Sequence, residues 1–60
     1  MYIYDILLND FCVGDSGDEI FDTREKARAD ADDYIISYLA DEHKVKPKDF
    51  KVVIYESITD

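Results

Sequence analysis

Sixty residues with fifteen acidic and seven basic side chains give a net charge of −8, in a chain that is 47% hydrophobic. That charge excludes a binder that works by neutralising phosphates, whether of nucleic acid or of an anionic membrane surface, while the apolar content argues against a disordered chain. The length admits one domain, residues 1–60, with a thin stability margin, because so short a chain buries only about 60% of the surface it exposes when unfolded.

The first segment, MYIYDILL, is rich in β-formers and almost continuously apolar. This suits a strand at the centre of a sheet. It lacks a basic leader and carries Asp5 inside the apolar run, so it reads neither as a signal peptide nor as a membrane span. Asn9 and Asp10 then separate two apolar runs and tolerate left-handed backbone, which predicts a two-residue hairpin turn. A short second strand follows over about Phe11 to Val13. After the loop GDSGD, where Ser16 and Gly17 suit a turn, the strand is expected to resume at Glu19 to Phe21. Cys12 has no partner for an intramolecular disulfide, which fits a reducing compartment.

A helix begins at DTRE, where Asp22 or Thr23 can accept hydrogen bonds from first-turn amides, and runs to about Glu42 before Pro47 stops continuation. Helical spacing puts Ala27, Ala31, Tyr34, Ile35 and Tyr38 on one stripe, with Leu39 at its border. A second stripe holds Lys26, Asp30, Asp33, Ser37 and Asp41. Pairing of Lys26 with Asp30 and of Arg28 with Asp32 would partly offset the bases at the helix start. Ile36 falls away from the core stripe beside Ala29 and Ala40 and is expected to be exposed. The last element is FKVVIYESI, Phe50 to Ile58, a β-branched and aromatic strand.

The order is therefore ββαβ, an α+β fold. A right-handed crossover makes the third strand parallel to the second and antiparallel to the first, giving a three-stranded antiparallel sheet of order 2-1-3 with one helix on one face. Alternation assigns Tyr4, Ile6, Leu8, Phe50, Val52 and Ile54 to the helix side. The other face shows Ile3, Asp5, Leu7, Lys51, Val53 and Tyr55, with Asp5 and Lys51 expected to pair across strands. One helix cannot cover both faces. Ile3, Leu7, Val53 and Tyr55 are thus candidates for a partner or homodimer surface.

Charge is distributed in blocks. Residues 1–22 carry six acids and no base, residues 29–43 five acids, and residues 44–51 four lysines against one acid. Asp30, Asp33 and Asp41 could steer a basic protein partner, with Ile36 as an apolar anchor beside them. The lysine island KVKPKDFK is read as helix-end and solubility charge, not as a nucleic-acid site.

No chemistry stands out. GDSGD superficially resembles a serine-protease nucleophile segment, but the chain has one histidine and no scaffold for a triad. The acids around it fail the calcium-loop spacing, and Cys12 with His43 is too small a set for zinc. No catalytic residue, metal site or cofactor is expected.

A leading hairpin followed by EIFDTREKARADADDYI, in so small and acidic a chain, resembles the little proteins of bacteriophages and mobile elements. Some of these, including anti-CRISPR inhibitors, occupy nucleic-acid-binding surfaces of host defence proteins. The resemblance covers layout and composition over most of the chain. It implies a stoichiometric inhibitor acting by occlusion in the cytoplasm of a bacterial host cell, with no direct contact to nucleic acid or membrane. A structural homodimer is the other expectation.

Overall fold

The structure is a computed structural model that describes residues 1–57. Strand β1 spans Tyr2–Leu8, β2 spans Phe11–Asp15, and β3 spans Phe50–Glu56. The sheet order is β2-β1-β3, with β1 antiparallel to both neighbours, as strand patterning requires. The strand expected to reach Ile58 ends at Glu56, and Ile58 lies outside the described residues.

Asn9 and Asp10 both take positive φ, 52° and 69°. That is the conformation a two-residue hairpin needs to match the twist of its strands. The turn sets Leu8 opposite Phe11 and Leu7 opposite Cys12; a bulge between Ile6 and Leu7 then shifts the ladder so that Ile6 meets Gly14. The extra residue is Val13, which packs against the core. A single bridge, Tyr2 to Phe21, stands where a resumed strand was expected. Before it, Gly17 takes φ +60° and the Ser16 side chain is buried, its Oγ accepting from the Tyr4 amide at 3.3 Å. The anchored turn is thus Ser16–Asp18, whereas Gly14 and Asp15 extend β2 beyond its expected end at Val13.

Thr23 caps helix α1, Arg24–Tyr34, its Oγ1 accepting from the Lys26 amide at 3.2 Å. The helix continues as a π-helical turn, Ile35–Leu39, and a short α2, Ala40–His43. Lys44 closes it in left-handed conformation, φ 56°. Within the π turn the Ala40 amide donates to the Ile35 carbonyl, five residues back, and the Ser37 hydroxyl donates to the Asp33 carbonyl at 2.6 Å. The π turn also corrects the expected core stripe. Each of its residues advances by less than the α-helical angle, so Leu39 swings into the core and is 1% exposed, whereas Tyr38 is 52% exposed.

The core consists of Tyr4, Ile6, Ala27, Ala31, Ile35, Leu39 and Phe50. Ala27 and Ala31 let the helix approach the sheet closely. Gly14 does the same from β2, for a Cβ there would lie 3.2 Å from Leu39 Cδ1 and 3.4 Å from Tyr34 Cε2. Leu8, Val52 and Ile54 pack on the rim of this core, so the alternation places all six helix-side residues correctly. Among the described residues no helix is long and apolar enough to cross a membrane.

Candidate functional site

The far face of the sheet is built by the odd-numbered residues of β1 and β3. Their register places Ile3 opposite Tyr55, Asp5 opposite Val53, and Leu7 opposite both Lys51 and, on the other side, Cys12. Ile3, Leu7 and Val53 are half-buried by their sheet neighbours, Tyr55 is exposed, and none of them belongs to the core or packs against it. The four apolar candidates therefore share one surface outside the core. With interstrand spacing of about 4.8 Å and a residue rise of about 3.3 Å, this surface covers a few hundred Å².

The expected pair of Asp5 and Lys51 does not form, because Lys51 stands opposite Leu7, a diagonal step away. Asp5 instead lies near Tyr55, and its carboxylate is the chief influence that raises the Tyr55 phenol above its ordinary range. Asp5, Tyr55 and Lys51 thus bring polar groups to a face whose apolar members are Ile3, Leu7 and Val53. Cys12 joins them, an exposed free thiol on the same surface. Its placement follows from the two-residue turn alone, since pairing Leu8 with Phe11 forces Leu7 onto Cys12.

The acidic helix stripe is less uniform than its sequence. Tyr4 sends its hydroxyl to Asp30 Oδ2 at 2.6 Å, a short bond from the sheet's central strand to the helix flank. Burial pushes the Tyr4 phenol far up its scale, and the bond to the Asp30 carboxylate adds to this. Asp30 is thus an exposed carboxylate with a structural duty. Lys26 pairs with Asp22 at 3.4 Å rather than with Asp30, while Arg28 pairs with Asp32 at 3.2 Å as the spacing predicts. These two pairs are exposed and each stabilises by a few tenths of a kcal/mol at most.

Asp33 is exposed on the outer helix surface. Asp41 stands apart from it, lining a concavity of about 730 Å³ with Lys44, Lys46, Lys48 and Asp49. Lysines surround Asp41, so it does not extend the negative row. Ile36 is 66% exposed, as its position on the helix requires. Nearby, Arg24, Glu25, Arg28, Ala29, Asp32 and Ile54 line a shallow groove of about 390 Å³ between the helix and β3. Composition gives no hint of that groove, because it depends on which helix flank overhangs which strand.

The two flanks differ in charge. Beside β2 stand Asp15, Asp18, Glu19, Asp22 and Asp30, with Lys26 as their basic neighbour. Along β3, Arg24 and Arg28 on the helix side and Lys51 on the far side balance Glu25, Asp32 and Glu56. No group of three or more metal-ligating side chains occurs among the described residues.

Comparison with protein-family profiles, curated proteins and solved structures finds no match.

Proposed function

We propose that this chain is a non-enzymatic protein-binding module whose contact surface is the far face of its sheet, with the acidic β2 flank steering a basic partner towards it. The observation that carries this reading is the placement of Ile3, Leu7, Val53 and Tyr55 on one face with no part of the described chain over it. Apolar side chains grouped in this way gain by desolvation against a partner, and the Tyr55 hydroxyl with Asp5 adds a polar element that would give specificity.

The charge distribution favours a particular class of target. A particle of net charge −8 is attracted to positive surfaces, and large positive surfaces on proteins are commonly those that hold nucleic acid. The resemblance to small phage-encoded inhibitors adds to this reading. The specific proposal is therefore a stoichiometric inhibitor that occupies the nucleic-acid-binding surface of a bacterial defence protein. Asp33 and the acids beside β2 supply long-range attraction; Asp30 contributes charge while remaining tied to Tyr4.

Cys12 makes the test direct, because the single thiol lies on the proposed surface. A photo-crosslinker attached there should form adducts in bacterial lysate with a basic nucleic-acid-binding protein. Added DNA or RNA, and raised salt, should suppress those adducts. Absence of an adduct, or adducts indifferent to both competitors, would count against the reading.

A further inference from the structure

We propose that the outer edge of β3 is a self-association site, at which two copies of this chain join into one six-stranded sheet with both helices on the same face. The inference is distinct from the function proposed above, since it rests on backbone groups of the strand edge, although Tyr55 of the far face also lies at the joint.

The phase of the edge follows from hydrogen bonds on the opposite side of β1. Tyr2 exchanges both backbone bonds with Phe21, and the Tyr4 carbonyl accepts from the Ser16 amide, so the even-numbered residues of β1 point their backbone groups towards β2. The odd-numbered residues of β1 must then point towards β3. In register, Ile3, Asp5 and Leu7 bond with Tyr55, Val53 and Lys51, which agrees with the Ser57 amide donating to the Met1 carbonyl. Val52, Ile54 and Glu56 consequently turn their N–H and C=O groups outward, where the described residues offer them no partner. β3 is seven residues long, pairs with β1 without a bulge, and contains no proline. Such an edge is a template for another strand.

Antiparallel pairing of two such edges is possible only where outward-facing residues oppose each other. An even residue must therefore meet an even residue. That condition places both helices on one face and forbids the arrangement with helices on opposite faces. Full overlap of the two strands centres the two-fold axis on Val53, setting Val52 against Ile54 of the second copy and Lys51 against Tyr55 of the second copy. Lys51 is then well separated from its own copy, and the ammonium group meets a phenol ring.

Charge selects a second copy as the occupant. In a particle of net charge −8, the β3 flank is the region where bases and acids balance, and a two-fold operation on a balanced flank creates no block of like charge. The β2 flank could not be self-complementary. Geometry also shows what holds the pair together. Three strand spacings, about 14 Å, would separate the two β1 strands beneath their helices, wider than the 8–10 Å of packed helices. Backbone pairing therefore carries the association, and the groove lined by Ala29 and Ile54 becomes half of a channel across the joint.

The test is sedimentation of the full chain, made by chemical synthesis, at micromolar to submillimolar concentration and two ionic strengths. The wild type should sediment as a dimer that tightens as salt screens the net charge. N-methylation of the Ile54 amide removes one outward donor without touching the ladder to β1, and should give a monomer with an unchanged circular dichroism spectrum. N-methylation of Val53, an inward amide, should instead damage the fold. A wild-type chain that is monomeric throughout overturns the proposal, as does a dimer that survives methylation of Ile54. Salt separates this association from the proposed partner binding, because the first strengthens with ionic strength and the second weakens.

Discussion

Replacing Tyr4 by Phe should cost this protein about 1 kcal/mol, a large share of its stability. The ring remains, so packing with Phe21 at a centroid distance of 5.9 Å is kept and the loss is confined to one hydroxyl. That hydroxyl donates to the Asp30 carboxylate at 2.6 Å. Hydrogen bonds to charged groups contribute roughly 1.5–3 kcal/mol when shielded and neutral ones roughly 0.5–1.5 kcal/mol. Asp30 is exposed and recovers water when the donor is removed, which places the cost at the lower end. A core of this size supplies only about 3–5 kcal/mol in total. The midpoint of thermal unfolding should therefore fall by about 4–8 °C.

The same bond predicts a pH dependence. The folded state holds the Tyr4 proton more tightly than the unfolded chain, chiefly through burial and then through Asp30. The resulting stabilisation is fully present below the unfolded tyrosine value of about 10 and is lost as pH rises above it. Urea titrations followed by circular dichroism between neutral pH and pH values above that point should show wild type and Tyr4→Phe converging as pH rises. A Tyr4→Phe, Asp30→Ala cycle should show the double variant little worse than either single one. Equal stability of wild type and Tyr4→Phe at neutral pH, or parallel alkaline curves, would refute the assignment.

Leu39→Ala should cost roughly 2–5 kcal/mol and leave little folded chain, while Tyr38→Ala should shift the urea midpoint only slightly, because the π turn faces Leu39 inward and Tyr38 outward. Gly14→Ala should destabilise by roughly 1–3 kcal/mol through overpacking against Leu39 and Tyr34, measured by the same denaturation. Asp10→Gly should stabilise by several tenths of a kcal/mol, since glycine adopts the positive φ of that turn position without steric cost. Asp33→Asn combined with Asp18→Asn should slow association with a basic partner at low salt and have no effect at high salt, as read by stopped-flow mixing.

The sheet order and its two faces were legible because both rest on period-two alternation and on the handedness of one crossover, which tolerate errors at strand ends. The start of the β1–β2 register was equally legible, since a two-residue turn at Asn9 and Asp10 leaves one way to pair Leu8, but the bulge between Ile6 and Leu7 carries no such signal. The β1–β3 register was not legible. A long helical connection sets no local count, so Asp5 and Lys51, plausible partners by charge, lie one step apart. Helical phase failed at a single point, the π turn Ile35–Leu39, where the helix underwinds. The acidic stripe was visible as composition, but its division was hidden, because the Asp30 bond depends on how far the Tyr4 ring reaches and the setting of Asp41 on how the chain turns at Lys44. Ile36 was readable because an exposed position needs only helical spacing.

Among the described residues nothing covers the far face of the sheet. Solvent paramagnetic relaxation of methyl protons measures this directly, by adding an inert soluble gadolinium chelate to the methyl-labelled protein. Ile3, Leu7 and Val53 should relax several-fold faster than Ile6 and Leu39, and should do so whether the chain is monomeric or joined through β3. Methyl groups of Ile3, Leu7 and Val53 as sheltered as those of Ile6 would contradict the account.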